Sequence, residues 1–386
     1  MAESIVIAGS LAQKPRQGGH TWQFLQYLSG FRRMGWEVLF LDRLEPGMCT
    51  NSAGQPCRVE DSINLQYFLT IMERFGLRDS FALEYDGGKL RWGLSRELVR
   101  ERLKRSAFLL NVMGFLNNDE LLGDATRRVF LDTDPGFGQM WQDLGQADLF
   151  RGHDDYVTIA ENIGQPSCTI PTCGLNWITW RQPIVLDEWP VQSDNVGEWF
   201  TSIGSWRGPY APIDYHGKTY GLRAHEFRKF VTLPRLCQGR FQVALDIHSA
   251  ETKDLASLAE NGWTLADPTS VACDPWVYRQ YIQQSKAEFM ATKGIYVDTH
   301  SGWFSERSVC YLASGRPVLA QDTGIRHLYP VGEGLLTFRT VEEAAACVEE
   351  ILRDYPRHSR AARQIAEEYF DSDKVMSRLL TKLGIG

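Results

Sequence analysis

The strongest constraint on the fold is an alternation of elements that the chain runs through twice. Near the start, Ser4–Ser10 (SIVIAGS) is a short β-branched run suited to a strand buried on both faces. A polar, glycine-containing loop follows (QKPRQGGH). Then Phe24, Leu28 and Phe31 recur at helical spacing until Gly35 stops the pattern, and Trp36–Asp42 (WEVLFLD) is the next strand. Strand, loop, helix and strand in that order open a doubly wound sheet. Phe108–Val112, Val129–Asp132 and Tyr156–Ala160 continue it, and residues 47–65 read as an insertion or mobile loop. Arg181–Pro190 is a Pro-bounded extended segment suited to a linker between domains. Beyond it the series restarts with strands expected at Phe200–Ile203, Phe241–Asp246, Gly294–Val297, Pro317–Ala320 and Leu335–Phe338. Thr340 and Glu343 make a capping box for a helix, and the tail from Asp371 is one more amphipathic helix. The expected class is α/β, with two doubly wound domains, residues 1–190 and 191–370, facing each other across a cleft, and a terminal helix over 371–386.

Composition narrows the function. The 386 residues include 41 Lys and Arg against 48 Asp and Glu, a net charge of −7. A polyanionic partner calls for a basic face, so the charge predicts no nucleic acid among the partners. There is no apolar run of membrane-spanning length, and MAESIVIAGS has no basic segment followed by an apolar one, so neither stable membrane insertion nor a secretory leader is expected. The eight cysteines are scattered and include no C-x-x-C, which predicts reduced thiols in a cytoplasmic protein and no structural metal. Nothing marks an interface, although a homodimer is the commonest assembly for a soluble enzyme.

In an open α/β sheet, ligands bind beyond the carboxyl ends of the strands, where helix N-termini favour anions. His300–Gly324 (HSGWFSERSVCYLASGRPVLAQDTG) reads as loop, helix from Ser305 to Ala313, Gly315 as its stop, strand and loop. Ser301, Gly302 and Ser305 at a helix start offer donors to a phosphate, and Arg307 in the first turn opposes the helix dipole unless an anion sits there. The plainer alternative is that Ser305 caps the helix and Arg307 pairs with Glu306 or another surface acid.

As a group these residues resemble the GT-B glycosyltransferases, two-domain enzymes that use nucleotide-sugar donors. Their second domain carries a Gly/Ser loop, a helix ending in a small residue and Gly, then x-Pro-Val and an acidic or Gly-rich loop. Here those are Ser301-Gly302, Ala313-Ser314-Gly315, Pro317-Val318 and Asp322-Thr323-Gly324. GT-B chains often show a Gly followed sixteen positions later by Gly-x-Glu-Val, as Gly19 and Gly35-Trp36-Glu37-Val38 are. The resemblance implies two Rossmann-like domains, the first for acceptor and the second for donor, with the terminal helix crossing back to the first. It implies transfer of a sugar from a nucleoside-diphosphate sugar, UDP or dTDP first, to a hydroxyl on a small molecule or glycan.

Two departures bear on mechanism. Retaining members commonly carry a Glu-x7-Glu pair, and the corresponding positions here are Gly302 and Cys310. Inverting members place a His after the first-loop Gly, which Gly19-His20 matches. His20 is therefore the candidate base for the acceptor hydroxyl, with Asp132 or Asp134 as its orienting carboxylate. Ser205, Arg207, Ser301, Gly302, Ser305 and Arg307 are candidates for the diphosphate, Asp322 and Thr323 for the sugar, and Trp263–Pro268 for the base. Asp132-Thr133-Asp134 is also a D-x-D, the metal-binding string of a different glycosyltransferase fold. In GT-B enzymes helix ends and basic side chains neutralise the leaving group, so no metal or other cofactor is expected. An NDP-sugar epimerase and a non-catalytic sugar-nucleotide-binding protein are the alternatives of the same architecture.

Overall fold

The computed structural model describes residues 3–117, 119–192 and 196–385. The first sheet contains β1 (Ser4–Ala8), β2 (Glu37–Leu44), β3 (Phe81–Tyr85), β4 (Leu90–Gly93), β5 (Phe108–Val112), β6 (Arg128–Asp132), β7 (Asp155–Thr158) and β8 (Trp177–Thr179). Its order is β4-β3-β2-β1-β5-β6-β7-β8, parallel except for the β3–β4 hairpin. The second half begins with β9 (Trp199–Ser205). After it come the hairpin β10 (Ile213–Tyr215) and β11 (Lys218–Tyr220), then β12 (Arg240–Asp246), β13 (Thr264–Leu265), β14 (Ala287–Met290), β15 (Val318–Gln321) and β16 (Leu335–Phe338). Its sheet is parallel, in the order β13-β12-β9-β14-β15-β16.

Strand order reverses between β1 and β5 in the first sheet and between β9 and β14 in the second. Chain connections leave such a point in opposite directions and open a crevice at the carboxyl ends. The two crevices face one another, and that placement decides where ligand chemistry can occur.

Buried packing joins the halves. Trp189 is fully buried in the connecting segment, Ile184 bridges to Asp371, and the Trp180 indole donates to the Val375 carbonyl at 3.0 Å. The C-terminal helix Ser372–Lys382 packs on Gly18–Arg33, the first helix of the N-terminal half. Among the described residues, no helix is long and apolar enough to cross a membrane.

Two expectations are corrected. Residues 47–65 are not a free loop. Short 3-10 turns at Pro46–Met48 and Val59–Asp61 flank a Thr50–Pro56 bridge, Cys49 is buried, and a helix already starts at Ile63 with the Ser62 hydroxyl accepting from Leu65 N. More consequentially, the expected strand Gly294–Val297 is a helix, Gly294–Asp298, and the strand is Ala287–Met290 one element earlier. A four-residue apolar run does not distinguish the two by periodicity. The true strand is masked in the sequence by Glu288, a fully buried carboxylate paired with Arg307.

Candidate active site

The facing crevices enclose a cavity of ≈ 850 Å³. From the first half it is lined by the loop before the Gly18–Arg33 helix and by the segments after β5 and β6. From the second half come the segments after β9, β12, β13 and β14, and the N-terminus of the helix Glu306–Ala313.

Its most unusual feature is cationic. Arg223, at the start of the helix Arg223–Arg228, has Nε and Nη1 buried with no hydrogen-bond partner. Burial, then the neighbouring Arg307, lowers its pKa from the usual guanidinium value to about 10. Space for it exists because β9 ends in glycine: a Cβ on Gly204 would lie 1.7 Å from Arg223 Nη1. Arg307 reaches the same cavity. Its Nε donates to Glu288 at 2.5 Å and Nη1 to the Ile203 carbonyl at 2.6 Å, while its buried Nη2 has no partner. Lys293, at the end of the loop after β14, completes this wall, and the half-buried Lys14 faces it from the first half. Burying guanidinium donors without acceptors costs free energy, and these donors are of the kind an anion satisfies.

Asp134 crosses the cavity. Its oxygens accept from Lys293 Nζ at 2.8 and 2.6 Å, and the Tyr296 hydroxyl donates to Oδ1. Burial and that carboxylate push the Tyr296 pKa well above its usual value, so the phenol stays a donor. Asp132, the other half of the D-x-D, is buried and accepts from Gln139 Nε2 at 2.6 Å and the Thr158 hydroxyl at 3.0 Å. Burial raises its pKa to about 6. The two carboxylates are held apart by different partners.

His20 lines the cavity without the expected partner. Its Nε2 is 3.2 Å from both the hydroxyl and the carbonyl oxygen of Ser10, and neither Asp132 nor Asp134 is bonded to it. Burial first, then Lys14, lowers its pKa to about 3. A conjugate acid so far below neutrality makes the imidazole a weak proton acceptor.

Of the donor-site candidates, Ser205, Ser305 and Arg307 line the cavity and the others do not. Arg207 is exposed and paired with Glu251, Nη2 to Oε2 at 2.9 Å. Ser301 is fully buried, donating to the Tyr296 carbonyl and accepting from Trp303 N. Gly302 has φ of +73° and meets the first half of the chain, since a Cβ there would lie 2.9 Å from Asn162 N. Asp322 is buried between Arg326 and Arg339, at 3.0 and 2.8 Å, and the Thr323 hydroxyl donates to the Trp303 carbonyl at 2.6 Å. These four hold the loop framework together. For Ser301 and Gly302 the misplaced strand explains the shift: residues 291–293 follow β14, so Lys293 stands where the sequence suggested Ser301 and Gly302. Asp267 and Pro268 do line the far end, whereas Trp263 belongs to the core of the second half.

Glu306 lies in the first turn of its helix and lines the cavity, and the Cys310 thiol one turn on donates to it at 3.1 Å. Burial raises its pKa to about 7. Sequence reasoning passed over Arg223 and Lys293, and gave Glu306 only as a possible partner of Arg307, a place that Glu288 takes. For Lys293 the one signal was its place directly before a glycine that starts a helix.

No family model and no curated protein sequence matches the chain. Solved structures do. An alpha-glucosyltransferase in complex with UDP and a 13-mer DNA containing an HMU base aligns with a TM-score of 0.59 at 10% identity, covering 100% of both chains. Anabaena HepE in complex with UDP and glucose aligns at 0.58 and 12% identity, covering 98% of this chain and 99% of that one. The fold is GT-B. These structures also correct the expectation that nucleic acid plays no part, because the alpha-glucosyltransferase holds DNA together with UDP. Net charge is a sum over the whole chain, while a phosphate backbone responds to the local field. Here the −7 is a chain-wide sum, and the cleft itself is lined by Lys14, Arg16, Arg223, Lys293 and Arg307 together with Asp134, Asp246, Asp267 and Glu306.

Proposed function

We propose that this protein is a glycosyltransferase moving a sugar from a nucleoside-diphosphate sugar, with UDP-sugars first, to an acceptor hydroxyl. The observation that carries the reading is the unpartnered guanidinium edge of Arg223, beside the free Nη2 of Arg307, in a cavity at the switch points of two facing Rossmann-like sheets. A diphosphate accepts from such donors and gains charge as the sugar leaves, so the interaction strengthens towards the transition state. The likeness to folds solved with UDP and UDP-glucose supports the choice of nucleotide.

On this reading the second half holds the donor. Arg223, Arg307 and Lys293 take the diphosphate, Ser305 adds a hydroxyl, and the apolar ledge of Leu245, Ile247 and Pro268 receives the base. The first half presents the acceptor. Three cationic side chains supply the charge compensation that a metal provides in other folds, so transfer proceeds in the presence of EDTA.

Calorimetry with UDP, dTDP, GDP and ADP on wild type and Arg223→Met tests the donor site. Binding of one diphosphate, lost in the variant, is the expected result. Binding of none removes the reading. With the nucleotide in hand, transfer is screened against sugars, glycans, small alcohols and DNA containing an HMU base. Tight donor binding with neither transfer nor donor hydrolysis would mark a non-catalytic binding protein.

A further inference from the structure

Any transfer to a hydroxyl must dispose of a proton, and the first-half wall of the cavity offers few groups for it. Among the described lining residues of that half, the titratable side chains are Lys14, Arg16, His20 and Asp134. The two cations accept nothing in their charged form. His20 Nε2 is engaged with Ser10 in a buried position beside Lys14. Asp134 remains, and it is occupied by the opposite half of the molecule: Lys293 holds both oxygens and Tyr296 holds Oδ1. In this arrangement a carboxylate stands on the ammonium where a phosphate oxygen would stand, within the field of Arg223.

We infer that Asp134 is the proton acceptor of the reaction and that the donor's diphosphate releases it for that task by drawing Lys293 away. The inference rests on the donor-site reading above. Lys293 Nζ is 2.6 Å from Asp134 and sits on a flexible stem, so an anion that draws it towards Arg223 and Arg307 leaves room for the sugar between the diphosphate and the freed carboxylate. The sugar attached to that anion then has its anomeric carbon next to a proton acceptor on the acceptor side. The acceptor oxygen bonds to the anomeric carbon as its proton passes to Asp134. The bond from that carbon to the diphosphate oxygen breaks, and its electron pair leaves with the diphosphate onto Lys293, Arg223 and Arg307. One displacement inverts the anomeric configuration. Until the donor arrives, the base is masked, so donor binding precedes productive acceptor binding.

The test compares wild type with Asp134→Asn, which keeps size and shape. UDP binding is measured by calorimetry, UDP-glucose hydrolysis gives the chemical rate with water as acceptor, and NMR of the first glucose released gives its anomer. Losing the internal competitor for Lys293 is expected to tighten UDP binding about threefold or more. Hydrolysis is expected to fall about 10²-fold or more, the usual contribution of a positioned base. The first glucose is expected to be the β anomer. A residue that merely holds Lys293 in place for the phosphate would give weaker UDP binding in Asp134→Asn, and that result overturns the inference. Full hydrolysis by the variant, or release of α-glucose, does so as well. Failure of wild type to bind UDP or dTDP is a separate outcome, because it removes the donor site itself.

Discussion

Replacing Arg223 by Met should make the protein more stable and less able to bind a nucleoside diphosphate. Burial that lowers the guanidinium from its usual value to about 10 corresponds to a preference against the charged form on the order of a few kcal/mol. The sign follows from proton counting. Above about pH 10, and up to the usual guanidinium value, the unfolded chain binds a proton that the native state has released. Stability therefore rises with pH across that window, and below it the native state bears the full cost of the buried charge. At pH 7.5 methionine removes that cost, keeps the length of the side chain, fits against Gly204 and takes a cation away from a helix N-terminus. Relaxation around the site will return part of it, so a gain of about 1–3 kcal/mol is expected in urea unfolding without nucleotide. The same variant loses a charge-assisted pair to the diphosphate, worth about 2–4 kcal/mol, so UDP affinity should fall roughly 30- to 1000-fold by calorimetry. Opposite signs in the two assays are the signature of a group strained for binding. A variant that unfolds earlier than wild type would mean Arg223 is a satisfied structural residue. A variant binding UDP as tightly as wild type would place the diphosphate elsewhere. Either result refutes the reasoning.

Three further outcomes follow from the same geometry. His20→Asn should flatten the acid limb of stability. A histidine at about 3 in the native state and 6.5 unfolded supports the fold above pH 6.5 and loses that support as pH falls towards 3, so wild type should lose about 2 kcal/mol more than the variant between pH 7.5 and 5, read from urea midpoints. Glu306→Gln should act in the other direction. With the native carboxyl raised from 4.5 to about 7, ionisation destabilises the fold as pH rises through that window, and the variant's advantage should grow to at most about 3 kcal/mol at pH 8. Gly302→Ala forces a left-handed backbone on alanine and drives its Cβ to within 2.9 Å of Asn162 N. It should cost about 2 kcal/mol or more and split the calorimetric unfolding transition as the two halves lose their contact.

The double α/β architecture was legible because buried parallel strands are short β-branched runs that need no long-range information. Phe108–Val112 and Leu335–Phe338 coincide with their strands residue for residue. The site was legible only where it depends on position after a strand, as for Ser205, or on a helix start, as for Ser305 and Arg307. It failed where one buried charge disguised a strand. Glu288 interrupts the run AEFM because it answers Arg307 from the neighbouring helix, and the sequence does not state that pairing. Once Gly294–Val297 is taken for the strand, the loop that follows it is read as residues 298–304 instead of 291–293. Ser301 and Gly302 are then given the position beside the cavity that Lys293 occupies, whereas Asp322 and Thr323 do follow their expected strand but are engaged inside the framework. Arg223 was out of reach for a different reason. Its strain exists only because Gly204, nineteen positions earlier, leaves room for a guanidinium against the end of β9. Buried ion pairs and unpaired charges are properties of two or more segments at once. Here they line the cavity between the halves, while the periodic patterns that a single sequence displays carry the scaffold.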